Sequence, residues 1–160
     1  WVNSEPGKGA TFFLTIPYEK QLVETPFAKE KINTGAFVFP EKKKILVAED
    51  IESNFQLISY YLQGTNTELL LAKTGSEAVE KCLADRSIDL ILMDIKMPEM
   101  DGYTAAKLIR EANISIPIIA QTAYADDKDK AIEAGCSGLI AKPFNKKDLL
   151  YKISEFINTD

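Results

Sequence analysis

From residue 43 onward the chain alternates short apolar runs with helix-like segments five times, and this alternation limits the fold more than any other feature. The runs are Lys44 to Ala48 (KILVA), Glu68 to Ala72, Ile88 to Met93 (IDLILM), Pro117 to Gln121 (PIIAQ) and Gly138 to Ala141. A continuous apolar run of this length suits a strand covered on both faces. Between the runs lie segments with helical spacing. The first carries Phe55, Ile58 and Leu62, with Leu57 and Tyr61 beside them. The second, Ser76 to Ala84, turns Ala78, Val79, Cys82 and Leu83 inward, and the third, Gly102 to Glu111, offers Ala105, Ala106, Leu108 and Ile109. The fourth runs from Asp126 to Ala134 and is stopped by Gly135. In the last, Asn145 is placed to cap, Asp148 lies in the first turn, and Leu149, Leu150, Ile153, Phe156 and Ile157 form the inner stripe. Strand–helix alternation of this kind implies right-handed crossovers and a doubly wound parallel sheet, whose ligands bind beyond the carboxyl ends of the strands.

The residues at those ends are therefore the candidates. The first strand is followed by Glu49 and Asp50, the third by Asp94, the fourth by Thr122 and the fifth by Lys142. Three carboxylates at one edge repel one another unless a cation intervenes. Oxygen-only donors favour Mg2+, and a lysine and a hydroxyl add what is needed to stabilise a transferring phosphoryl group. Taken singly, each residue has a plain structural reading. Glu49-Asp50 can be a helix cap, Lys142 before Pro143 a loop residue, and Met97 to Gly102 a turn that starts a helix. Their joint placement at successive strand ends is what packing does not explain.

Composition narrows the chemistry. The net charge is −5 over 160 residues, which argues against nucleic-acid binding, and Lys42 to Lys44 read as a solvated strand edge. There is no histidine, so no Ser-His-Asp or Cys-His triad and no phosphohistidine can come from this chain. The two cysteines, Cys82 and Cys136, form no CxxC pair and read as small core residues of a reducing compartment. No apolar run reaches membrane-spanning length.

Residues 1–19 read as a β-hairpin, with Val2 ending one strand, Pro6-Gly7-Lys8-Gly9 as the turn and Thr11 to Ile16 as the second strand. Gly7 and Gly9 are read as turn residues, not phosphate ligands. Residues 20–42 read as a linker with a short strand at Ala36 to Phe39, and 43–160 as the main domain.

The segments ILVAEDIESN (45–54), LILMDIKMPEMDG (90–102), PIIAQTA (117–123) and AKPF (141–144) together resemble the receiver domain of two-component response regulators. The resemblance implies a flavodoxin-like (βα)5 fold with strand order 2-1-3-4-5. It implies that Asp94 accepts a phosphoryl group, that Glu49, Asp50, Asp94 and the backbone carbonyl of Lys96 hold Mg2+, and that Thr122 and Lys142 contact the phosphoryl oxygens. The Lys142-Pro143 peptide is expected cis, Ala123 leaves room for the donor, and Lys96 and Tyr124 stand where phosphate lifetime is tuned. Two positions depart from the family pattern: Glu49 replaces the usual Asp, and Leu139 stands where an aromatic switch residue is common. VNSEPGKGATFFLTIP resembles the closing hairpin of histidine-kinase ATP-binding domains. The order kinase remnant, linker, receiver implies the C-terminal part of a bacterial hybrid sensor histidine kinase. Its partners would be the parent's phosphohistidine or a His phosphotransfer protein, with a homodimer also open. The expected location is cytoplasmic, tethered to the inner membrane through the parent.

Two rival readings remain. A phosphatase similar to the haloacid dehalogenases would carry phosphate on Asp50, although Asp50-Ile51-Glu52-Ser53 poorly matches the Asp-x-Asp pattern of that family. A binding module is the other: a flavodoxin proper, whose flavin phosphate Glu49 and Asp50 would repel, or a receiver that works unphosphorylated.

Overall fold

The computed structural model describes residues 1–15, 37–124 and 127–157. Two units are distinct, Trp1–Asn33 and Thr34–Asp160.

In the first unit, β1 (Val2–Glu5) and β2 (Gly9–Phe12) pair antiparallel, with Val2 opposite Phe12 and Glu5 opposite Gly9. Gly7 and Gly9 both have positive φ, 81° and 91°, which explains glycine at these turn positions. Val2 begins its strand and does not end one, and the second strand stops at Phe12; Ile16 lies outside the described residues. Every residue of both strands is exposed, and Trp1 stacks on Phe13 at 4.9 Å. A two-stranded hairpin buries too little to be stable alone.

In the second unit the five apolar runs form β3 (Lys43–Ala48), β4 (Thr67–Ala72), β5 (Leu90–Asp94), β6 (Ile118–Thr122) and β7 (Gly138–Ala141). They make one parallel sheet in the order β4-β3-β5-β6-β7, the expected 2-1-3-4-5 arrangement. The helices are α1 (Glu52–Leu62), α2 (Gly75–Ala84), α3 (Gly102–Glu111), α4 (Lys128–Glu133) and α5 (Lys146–Ser154).

Strand side chains alternate between two cores. Leu46, Ala48, Ile91, Met93, Ile118 and Ala120 pack with Ala78, Cys82, Ala105, Ile109 and Ala131 from α2, α3 and α4. Ile45, Val47, Leu90, Leu92, Ile119 and Ile140 pack with Ile58, Leu62, Leu149 and Ile153 from α1 and α5. At about 25 cal/mol per Å2 of apolar area, each of the buried Ile, Leu, Val and Met side chains contributes on the order of 2 kcal/mol, and the alanines less.

Local signals set the helix ends. Thr74 and Asp101 accept from the backbone N–H of Glu77 and Thr104. Asn145 and Asp148 form a capping box on α5. Gly135, at φ 84°, stops the fourth helical segment as expected. The helix itself is shorter than expected, and Asp126 lies outside the described residues.

Two further expectations need correction. Leu83 points out, 48% exposed, because the sheet covers only the stripe of α2 that carries Ala78 and Cys82. Residues 37–39 form no strand. Phe39 is fully buried, but its N–H donates to the Thr65 carbonyl in a loop contact, and Phe37 packs edge-on against it. Ala36 lies outside the described residues.

Candidate phosphoryl-transfer site

The carboxyl edge of the sheet brings four of the expected residues together. Glu49 follows β3 and extends its ladder, its N–H donating to the Ala72 carbonyl at 2.9 Å. Asp94 is the last residue of β5, and Lys142 directly follows β7. Glu49, Asp94 and Lys142 fall in phase with Val47, Leu92 and Ile140, so all three belong to the α1 and α5 side of the sheet.

The Lys142 ammonium donates to Glu49 Oε2 and to Asp94 Oδ2, both at 2.8 Å. Glu49 is 1% exposed and Asp94 7%. Burial alone lowers the lysine pKa, but the hydrogen bonds to Asp94 and Glu49 outweigh it and hold the pKa above the ordinary lysine value. Glu49, Asp50 and Asp94 each offer a carboxylate oxygen within 4.8 Å of the others. Three carboxylates against one ammonium leave two negative charges uncompensated. An all-oxygen donor set with that surplus suits a hard divalent cation.

The helix-cap reading of the acidic pair does not hold. The N-cap of α1 is Ile51, with no side-chain cap bond. Glu49 Oε1 instead accepts from the Asn54 amide at 2.8 Å and from Ile51 N–H at 3.4 Å. Asn54 therefore holds the buried carboxylate in place, one helical turn beyond it. The pairing is visible in sequence only as a polar residue on the inward side of α1. Asp50 is exposed.

Asp94 Oδ1 accepts from the Lys96 backbone N–H at 3.2 Å. The Lys96 ammonium lies 4.9 Å from the centre of the Tyr124 ring, a cation–π contact joining the two expected tuning positions. Ala123 and Tyr124 are exposed, and the Lys142-Pro143 peptide is cis as expected.

Thr122 is not part of this cluster. It falls in phase with Ile118 and Ala120, on the other side of the sheet, and its hydroxyl donates to Asp127 Oδ2 at 2.9 Å. That acceptor was not expected from the sequence: the helical pattern takes Asp127 into the fourth helix, whereas it is the N-cap of the shorter α4 and turns its carboxylate to Thr122 instead of capping. Gln121 was also missed. It is fully buried opposite Asp94 in the ladder, and neither atom of its amide has a hydrogen-bond partner among the described residues. The signal was a polar residue inside an apolar run. Leu139, at the departing position, is half-buried against the core that holds Ala131 and Cys136. With Ala131, Ile132, Cys136 and Phe156 it lines a cavity of about 290 Å3.

Both cysteines are buried and free, and desolvation pushes their thiols up to about 11. No described helix is long and apolar enough to cross a membrane.

Comparison with known proteins agrees with this geometry. The chain is 32% identical over 157 residues to the sensor protein EvgS of Escherichia coli, covering 96% of this chain and 13% of EvgS. It is 34% identical over 161 residues to the autoinducer 2 sensor kinase/phosphatase LuxQ of Vibrio vulnificus, covering 97% of this chain and 18% of LuxQ. The chain thus spans less than a fifth of the length of these relatives. The matches also reach beyond the second unit into the N-terminal segment.

Among solved structures, the receiver domain of a Pseudomonas aeruginosa sensor histidine kinase superposes with TM-score 0.65 at 32% identity, over 71% of this chain and 96% of that one. That structure holds a magnesium ion in its active-site cleft. The receiver domain of the Saccharomyces cerevisiae response regulator Ssk1, co-crystallised with the histidine phosphotransfer protein Ypd1, superposes with TM-score 0.68 at 32% identity, over 74% of this chain and 90% of that one. The response regulator receiver domain model matches residues 45–154. Sheet order, acidic edge and sequence match together make this chain a member of the response regulator receiver domain family, the phosphoacceptor module of two-component signalling.

Proposed function

We propose that Asp94 accepts a phosphoryl group from a phosphohistidine in a Mg2+-dependent reaction, and that the chain is the receiver end of a hybrid sensor histidine kinase. The observation that carries this is the convergence of Glu49, Asp94 and Lys142 within 2.8 Å contacts, beside Asp50, at the sheet edge. A carboxylate oxygen of Asp94 attacks phosphorus in line. The phosphorus–nitrogen bond breaks, the imidazole leaves with the electron pair, and an acyl phosphate remains. Hydrolysis reverses the loading when water attacks phosphorus and the Asp94 carboxylate departs.

Glu49, Asp50, Asp94 and the Lys96 carbonyl would hold Mg2+, which supplies positive charge for the phosphoryl oxygens when bound. Lys142, already beside Asp94, needs only a small movement to pair with a phosphoryl oxygen. Thr122 donates its hydroxyl to another after leaving Asp127. Lys96 and Tyr124 flank the approach, where they limit the access of water, and Ala123 leaves space for the donor. Leu139 cannot rotate as an aromatic switch would, so no aromatic rotation is coupled to Thr122 here.

Residues 1–19 are read as the closing hairpin of the parent's ATP-binding domain, residues 20–42 as a linker and 43–160 as the receiver. The exposed apolar side chains of the hairpin and the sensor-kinase matches extending into it support this. The donor is then the parent's own histidine or a His phosphotransfer protein, and the chain works in the cytoplasm, tethered through the parent.

The test is intact mass after incubation with acetyl phosphate and Mg2+, beside Asp94→Asn. One added phosphate that requires Mg2+ and is absent from the variant is expected. Label mapped to Asp50 would favour the dehalogenase-like phosphatase. No phosphate and no beryllium trifluoride binding on folded protein would leave a module that acts unphosphorylated.

A further inference from the structure

Both oxygens of the buried Glu49 carboxylate accept from side chains of other elements. Oε2 accepts from the Lys142 ammonium at 2.8 Å and Oε1 from the Asn54 amide at 2.8 Å, while the Ile51 N–H reaches Oε1 only at 3.4 Å. The two close donors differ in charge. Lys142 neutralises what it holds, and it serves Asp94 at 2.8 Å as well. A primary amide is uncharged, so Asn54 fixes the carboxylate and leaves its negative charge for a cation. Held in this way, Glu49 still offers an oxygen within 4.8 Å of those of Asp50 and Asp94.

The length of Glu49 is what makes such a hold matter. Glutamate has one more side-chain torsion than aspartate, so its carboxylate has one more rotation to lose before it can meet an ion. Asn54 supplies that constraint from a fixed base. It lies in the first turn of α1, and Ile58, one turn further along the same face, is 2% exposed in the core. Lys142 is a less lasting constraint, because in the proposed reaction it shifts to a phosphoryl oxygen. The Asn54 amide is bound to Glu49 alone and has no such second duty.

We propose that Asn54 is a positioning residue for the divalent cation: its amide preorganises Glu49, and it is what lets a glutamate serve at this position. This rests on the reading of Asp94 as a Mg2+-dependent phosphoacceptor. Asn54 acts through Glu49 and is not itself a ligand. The dependence is specific to side-chain length. An aspartate at position 49 ends one methylene short of the amide and has no third torsion to fix, so it gains nothing from Asn54.

The test is a double-mutant cycle read as Mg2+ affinity. Mg2+ alone is titrated into the metal-free chain and followed by the backbone amide NMR signals of Asp50 and Lys96. The variants are Asn54→Ala, Glu49→Asp and both together. Asn54→Ala is expected to weaken Mg2+ binding about 10- to 100-fold, the range for removing a hydrogen bond to a ligating carboxylate. In the Glu49→Asp background the same change is expected to alter affinity less than about twofold. Labelling of Asp94 by acetyl phosphate at saturating Mg2+ is the control and is kept in Asn54→Ala. Should Asn54→Ala not fold, Asn54→Leu has the same branching without a donor and takes its place in the cycle. Wild-type Mg2+ affinity in the folded Asn54 variant, or the same loss in both backgrounds, overturns the positioning role while leaving the phosphoacceptor reading intact. A wild-type chain that binds no Mg2+ and takes no phosphate overturns both.

Discussion

Replacing Lys142 with methionine separates the structural from the catalytic duty of the acidic edge. Methionine keeps the apolar stem and removes the ammonium that lies 2.8 Å from both Glu49 and Asp94. Breaking a fully buried ion pair from one side costs about 3–5 kcal/mol. Here the loss is smaller. The lysine side chain is 25% exposed, Glu49 keeps the Asn54 amide at 2.8 Å, and Asp94 keeps the Lys96 N–H at 3.2 Å. A destabilisation of about 2 kcal/mol is expected without metal, a fall in Tm of about 6–10 °C for a domain of this size. Saturating Mg2+ should recover more than half of it, since the ion meets three carboxylates with no competing ammonium. The assay is urea and thermal unfolding in chelator and in Mg2+, wild type against variant. The difference should also follow pH. The folded-state pKa of Lys142 is raised, so its contribution is fully present below the ordinary value of 10.5 and is lost as pH climbs through the folded value. The wild-type advantage is thus flat from about pH 6 to about pH 9 and closes only above the ordinary lysine pKa. A variant as stable as wild type in chelator, with no larger gain from Mg2+, would refute the view of Lys142 as internal counter-ion.

The remaining predictions are simpler. Asp94→Asn should abolish phosphate incorporation while shifting stability by less than about 1 kcal/mol, since an amide of the same shape fills the position; mass spectrometry and urea unfolding check this. Gly102→Ala should destabilise by about 3 kcal/mol or more, because a Cβ there would overlap the Asp94 carbonyl oxygen and approach Met93 Cγ to 2.9 Å. A variant as stable as wild type would mean that α3 can lift off β5. Asn145→Ala should cost about 1 kcal/mol through loss of one half of the α5 capping box, measured by urea unfolding.

Much of this was legible in sequence because buried parallel strands leave a strong mark. The five apolar runs became five strands in the expected order, and the residue after each run fell at the carboxyl edge. Glu49, Asp94 and Lys142 needed no more than that rule. What failed depended on local surroundings. Leu83 belongs to the apolar pattern of α2, but a helix on one face of a sheet covers only part of an apolar stripe. Phe37 and Phe39 have strand composition, yet the Phe39 N–H is taken by the Thr65 carbonyl and its carbonyl by the Asn66 amide, so they pack as a loop. Asn54 and Asp127 meet their partners through side-chain geometry that no periodicity predicts. Strand-end position names the residue, but only coordinates show which way its proton points.

The ion pair at the edge also sets an order of assembly during synthesis. Glu49 and Lys142 are 93 residues apart, and Asp94 and Lys142 are 48 apart. A chain leaving the ribosome therefore presents its three acids well before the lysine that pairs with Glu49 and Asp94, and that lysine comes from the last loop ahead of α5. Until then the nascent edge is a concentrated negative patch with no internal counter-charge. Divalent cation in the surrounding fluid can screen that patch in the meantime, so the ion pair is the last internal counter-charge to arrive, added only once β7 has been made.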